Sequence, residues 1–166
     1  MATRQLAVII ALVLLTSWLP ACGGGNNNAN SRPSANAANT SGENANTPKT
    51  NVEELGVLVN VPYEAEDIVW KDDALHKKLT AVLRFSTADC DKIVADAGRF
   101  RKPENVTVQS ESWFPDELIA QSDMSGDDTL KGTSYAANAF LQDPFNEGRI
   151  TRIEATNYFV LEATAK

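Results

Sequence analysis

The chain has 166 residues, with 22 acidic against 15 basic side chains and a formal charge of −7. Arg4, Arg32, Lys49 and Glu43 precede Val52, so the charge from there to the C-terminus is −9. Such a surface repels nucleic acid and anionic lipid, which excludes electrostatic binding to either.

The N-terminus is apolar and short. Arg4 supplies a basic start, and Leu6 to Leu15 form an apolar core that Trp18 and Leu19 extend. That length falls short of the roughly 20 residues of a spanning helix and suits a secretory signal. It ends at Leu19-Pro20-Ala21-Cys22, and the chain turns polar at once through Gly23-Gly24-Gly25 and Asn26-Asn27-Asn28. This run resembles the lipobox of bacterial lipoproteins, with Leu19 at the apolar position and Ala21 at the small residue before the cut. Pro20 departs from the usual pattern. The resemblance covers residues 1–22 and implies that 1–21 are a signal peptide. It also implies that Cys22 carries a diacylglyceryl thioether and an acylated amine. Several acyl chains at about 0.8 kcal/mol per buried CH₂ make release from a membrane slow. The expected location is the cell envelope. Gly23 favours the periplasmic face of the outer membrane in a Gram-negative cell.

Residues 23–51 are dominated by Asn, Ala, Ser, Gly and Thr, with no aromatic, Leu, Ile or Val. They cannot bury enough apolar surface to offset their ordering entropy. Residues 22–51 therefore read as the lipidated cysteine and a flexible tether, with a root-mean-square reach of about 30 Å. Residues 52–166 form one domain of ordinary size.

In the domain, Leu55, Val57 and Val59 share a strand face, and Val61-Pro62 should end that element. The region from Val52 to Pro62 is thus expected as a strand or irregular lead-in. A short edge strand at Ile68-Val69-Trp70 follows. Leu79, Ala81, Leu83 and Phe85 alternate with Thr80, Val82 and Arg84, so both faces are largely apolar and a central strand is predicted. Ser86 with Asp89 at N3 opens a helix. Cys90, Ile93, Val94 and Ala97 make its apolar stripe, and Gly98 is placed at C′.

Val106 and Val108 predict another strand. Trp113-Phe114 precede Pro115 at N1 and Asp116-Glu117 in a first turn, predicting a short helix to Ala120 or Gln121. Trp113, Phe114 and Leu118 would anchor it against the sheet. Gln121 to Lys131 reads as a polar loop. Thr133 to Leu141 is assigned as a strand, with a short helix as the alternative. Asp143 to Gly148 reads as a turn. Ile150–Ala155 and Tyr158–Ala163 are two strands joined near Thr156-Asn157. The fold class is α+β: a small antiparallel or mixed sheet packed by one or two short helices.

The chemistry-bearing residues are few. His76, the one histidine, sits among Lys71-Asp72-Asp73 and Lys77-Lys78 and reads as a solvated side chain. With Cys22 assigned to lipid, Cys90 is left alone, so no disulfide is expected. Its stripe position predicts burial, and Asp89 and Asp91 oppose a thiolate. Glu64, Glu66 and Asp67 form one acidic cluster; Asp123, Asp127 and Asp128 form another. Both contain oxygen ligands suited to hard cations, but the second departs from the EF-hand pattern. No metal, cofactor or catalytic residue is assigned. Asn105-Val106-Thr107 matches a glycosylation acceptor and is read as chance.

Trp113 and Phe114 are candidate binding residues, because adjacent rings do not readily point the same way and one can line a groove. The leading functional expectation is a non-enzymatic envelope lipoprotein. It would be held to a membrane by its lipid and bind a protein or a cell-wall component. The alternatives are an envelope hydrolase using acidic residues and a structural spacer.

Overall fold

The computed structural model describes residues 47–166. The signal segment, Cys22 and the tether before Thr47 lie outside the described residues. Three helices and six strands follow in the order α1 (Val52–Leu58), β1 (Ala65–Asp73), β2 (Lys78–Phe85), α2 (Thr87–Ala97), β3 (Glu104–Gln109), α3 (Asp116–Ser125), β4 (Thr129–Ala136), β5 (Phe145–Ile153) and β6 (Tyr158–Ala165). The strands form one antiparallel sheet ordered β1-β2-β6-β5-β4-β3. The architecture is α+β, with a β1–β2 hairpin and a β3–β4–β5–β6 meander joined through α2. β6 returns to close the sheet against β2.

Each face of the sheet has its own apolar cluster. On one face, Leu55 and Val59 from the α1 segment and Cys90, Ile93 and Ala97 from α2 meet Trp70, Leu79, Leu83, Phe85, Phe159 and Leu161. On the other, Phe114 and Leu118 cover Val82, Val108, Leu130, Ile153, Tyr158 and Val160. β2 and β6 are therefore buried on both sides, which is why β2 reads as a nearly continuous apolar run.

The segment from Val52 is a helix where a strand or lead-in was expected. Asn51 Oδ1 accepts hydrogen bonds from the amides of Glu53 at 2.9 Å and Glu54 at 3.1 Å, and Leu55 alone of the helix is fully buried. Asn51 with Glu54 three residues on is the sequence signal of a capped N-terminus; the alternation at 55, 57 and 59 masked it. Just before this helix, Lys49 and Trp70 exchange backbone hydrogen bonds of 2.8 Å. The Trp70 indole also donates to the Asn51 carbonyl at 3.1 Å. Part of the polar stretch assigned to the tether thus lies against the outer edge of β1.

α2 starts at the Ser86 cap, whose hydroxyl oxygen accepts from the Asp89 amide at 3.2 Å. It ends at Gly98, which keeps a right-handed φ of −64°. α3 is longer than expected. Pro115 (φ −52°, ψ 142°) takes the N-cap position rather than N1, and the helix runs to Ser125 before Gly126 turns left-handed at φ 77°. The predicted polar loop from Gln121 to Lys131 is therefore the end of α3 and the start of β4. Its inward position after Leu118 is Ser122, whose hydroxyl donates to the Ile119 carbonyl at 2.9 Å. The expected turn from Asp143 gives way to β5 at Phe145, with a register shift between Phe145 and Glu147.

Candidate functional site

A cleft of about 890 Å³ lies around the turn between β5 and β6. Strand register explains its make-up. Arg84 of β2 lies opposite Tyr158 of β6 on the face covered by α3. Thr133 of β4 lies opposite Arg152 of β5 on the α2 face. The cleft wraps the turn, with Glu66, Arg84, Glu117 and Tyr158 on one flank and Thr133, Tyr135 and Arg152 on the other.

Both helical layers pin this turn. From α2, Thr87 Oγ1 accepts a hydrogen bond from Asn157 Nδ2 at 3.1 Å, and the Cys90 thiol reaches the Asn157 carbonyl at 3.8 Å. From α3, Gln121 Nε2 donates to the Glu154 carbonyl at 3.1 Å. Thr156 Oγ1 donates to the Ile153 carbonyl at 3.0 Å and accepts from the Tyr158 amide at 3.1 Å. Ala155 holds a positive φ of 60° within the turn, a conformation that disfavours a Cβ. The cleft floor is thus fixed before any ligand arrives.

Its electrostatics are mixed. Arg84 Nε is 3.3 Å from a Glu66 carboxylate oxygen, and its guanidinium carbon is 5.9 Å from the centre of the Tyr158 ring. Burial pushes the Tyr158 phenol above its ordinary pKa, and the charges of Glu117 and Asp67 add to the rise. Across the turn, Arg152 lies 3.8 Å from Asp91 of α2. The site offers two cations, several carboxylates and a protonated phenol within one concavity, a combination suited to a ligand carrying both charges.

Of the two acidic clusters, only the first contributes to the cleft. Glu66 sits beside the register shift between Ala65 and Asp67 that opens β1, and Glu117 of α3 joins it in the lining. Asp123 and Asp128 border a separate depression beside α3. Asp127 serves its own turn: its carboxylate accepts from Ser125 Oγ at 2.6 Å, Thr129 Oγ1 at 2.7 Å and the Thr129 amide at 3.2 Å. These bonds, those of the Ser125 and Thr129 hydroxyls first, lower its pKa. Among the described residues no three His, Cys, Asp or Glu side chains converge as a metal site.

The adjacent rings pack against each other in one cluster. Phe114 is 4% exposed and belongs to the core. Trp113 is half-buried at its margin, packed edge-on against Phe114 with centroids 4.7 Å apart. Its indole donates to Glu111 at 2.6 Å, and Lys71 Nζ lies 5.5 Å from its ring centre. Of the candidate binding pair, only Trp113 presents surface, in a small hollow with Lys71, Lys78 and Thr80. His76 is exposed in the β1–β2 turn and pairs with Asp73 at 2.6 Å. Cys90 is wholly buried, and desolvation raises its thiol pKa.

Arg84, Glu117 and Tyr158 were assigned no role from sequence. Arg84 was legible as an ion in a strand apolar on both faces, which demands a partner. Glu117 carried only a helix-terminus signal. No family model, curated protein or solved structure matches this chain.

Proposed function

We propose that this protein is a lipid-anchored envelope lipoprotein whose domain binds, without turnover, a polar component carrying both amino and carboxylate groups. The peptide portion of a cell wall and an extended protein segment share that chemistry. Membrane attachment is assigned to acyl chains on Cys22, and location to the cell envelope, on the outer membrane's periplasmic face in a Gram-negative cell. The observation that carries the reading is the pre-formed cleft in which Arg84 stands between Glu66 and Tyr158. A guanidinium matches a carboxylate geometrically, and Glu117 and Glu154 line the same space for an amine. Binding sites of this size with a few convergent polar groups are the usual places for ligands.

Co-sedimentation of the full chain with purified peptidoglycan sacculi, in detergent, tests the cell-wall form. Wild type is expected to sediment with the sacculi, and Arg84→Ala to lose about tenfold or more in affinity. Equal retention of the two proteins would overturn the assignment of the cleft.

One observation favours a second reading. Glu66 and Glu117 line one concavity, and an acidic hydrolase needs two carboxylates at one site. Glu66 is ion-paired with Arg84 at 3.3 Å, a contact that a ligand or a substrate would have to displace. Release of soluble fragments from sacculi by wild type, abolished in Glu117→Gln, would establish the hydrolase and refute the binding-only reading.

A further inference from the structure

The two edges of the sheet are treated differently. β1 is blunted, with a register shift between Ala65 and Asp67 and a backbone bridge from Lys49 to Trp70 on its outer side. β3 has neither device. Its six residues pair with β4 in unbroken register from Glu104 opposite Ser134 to Gln109 opposite Thr129. Neither lysine nor proline, the usual guards of an open edge, occurs within it.

The phase of its backbone can be fixed. The Ser110 amide donates to the Asp128 carbonyl at 2.9 Å, in the same register. In an antiparallel pair the bonded positions alternate, so Glu104, Val106 and Val108 turn their amides and carbonyls toward β4. Asn105, Thr107 and Gln109 therefore turn theirs outward. These three residues are exposed, and among the described residues the sheet ends at β3.

We propose that a second copy of this chain adds its own β3 here, antiparallel about a two-fold axis, so that one sheet runs through both copies. Charge selects the occupant. Arg101 and Lys102 precede the strand, and Asp128 and Glu111 lie at its far end, where the Glu111 carboxylate already accepts from the Trp113 indole and lies 3.8 Å from Lys71 Nζ. An antiparallel self-pairing lays the basic end of each copy along the acidic end of the other, and two-fold symmetry makes this contact twice. Glu104, the one charged residue within the strand, sits off the axis and does not face its counterpart, so no like charges are opposed.

Side-chain alternation adds an apolar term. Residues that oppose one another in an antiparallel sheet point to the same face, so with the two-fold axis at Thr107 the Val106 of each copy faces the Val108 of the other. Val106, only half-buried at the margin of the α3-side cluster, is covered by this pairing.

Sedimentation equilibrium of the full chain in detergent tests the pairing. Wild type is expected to be a concentration-dependent dimer. Thr107→Pro removes an outward amide that the fold does not use, at a place where proline is tolerated. Its melting temperature should stay near that of wild type while its dimer weakens about tenfold or more. Arg101→Glu with Lys102→Glu lies outside the strand and should weaken the dimer similarly at low salt. This variant decides the matter alone if Thr107→Pro does not fold. A wild-type monomer at every concentration, or a dimer of undiminished affinity in either folded variant, would overturn the proposal.

Discussion

Arg84 and Tyr158 occupy opposed positions on β2 and β6, and the guanidinium carbon of one lies 5.9 Å from the ring centre of the other. The contact places a cation beside a phenol that is 4% exposed. The ring's apolar body packs with Val82 and Val160, so one residue belongs to both the core and the cleft. Stability and binding are coupled at this point.

The coupling has a pH signature. Burial, then the carboxylates of Glu117 and Asp67, raise the Tyr158 pKa in the folded state. The unfolded chain therefore loses this proton first as pH rises. The contribution is fully present below about pH 10, the ordinary tyrosine value, and is lost progressively above it. Cys90, also raised by burial, adds a fall beginning nearer its own ordinary value. Denaturant melts across the alkaline range are expected to show falling stability in wild type. Tyr158→Phe should flatten the upper part of that fall; an unchanged slope would contradict the role given to the phenol.

Gly132 sets the spacing of β4 against β5. A Cβ there would sit 2.5 Å from the Arg152 carbonyl oxygen and 2.7 Å from Thr151 Cγ2. The first clash is with backbone, which cannot rotate away. Gly132→Ala is expected to destabilise the domain by about 2 kcal/mol or more, as overpacking does, read as a lower urea midpoint. A neutral result would show that the two strands can separate at low cost.

Thr151 makes the opposite case. It is fully buried opposite Ser134 and Val160, and neither the Thr151 nor the Ser134 hydroxyl finds a hydrogen-bond partner among the described residues. An unsatisfied buried hydroxyl costs stability, and an apolar group of the same shape removes that cost. Thr151→Val should therefore raise stability by about 1 kcal/mol, measured by chemical denaturation at neutral pH. Destabilisation would mean that the hydroxyl is satisfied in solution.

The legible parts of the fold were those where one physical signal dominated. β2 announced itself through two apolar faces, α2 through the Ser86 cap and the stripe of Cys90, Ile93 and Ala97, and β6 through its run from Tyr158. The misread parts carried competing signals. α1 is short and buries only Leu55, so its strand-like alternation outweighed the Asn51–Glu54 cap. α3 places Ser122 on its inner side, where periodicity looks for an apolar residue. The cleft was harder still, because Arg84 and Tyr158 are 74 positions apart and meet only through the β2–β6 register. That pairing depends on the chain returning after three intervening strands, which no local pattern encodes.

The anchor prediction rests on Leu19-Pro20-Ala21-Cys22 after the apolar stretch. Mass spectrometry of the mature N-terminus should find it beginning at Cys22 with acyl groups attached. Cys22→Ala removes the acceptor sulfur and should yield protein without lipid that no longer partitions into detergent. A mature terminus at any other residue, unmodified, would refute the lipobox assignment.

Cys90 tests the α2 layer and its grip on the cleft turn. Its thiol lies 3.8 Å from the carbonyls of both Phe85 and Asn157, wholly buried between the helix and the β5–β6 turn. Burial, the largest influence on it, favours the neutral thiol, which does not attack disulfide reagents. In the native state it should therefore label slowly with a bulky thiol reagent, and unfolding should make labelling fast. Lipidated protein allows this measurement, because the Cys22 sulfur is then capped. Cys90→Ala should cost about 1–2 kcal/mol through the small cavity it leaves. Cys90→Asp should cost more, because it buries a charge beside two carbonyl oxygens. Rapid native labelling, together with unchanged stability of the alanine variant, would overturn the packing of α2 against the turn.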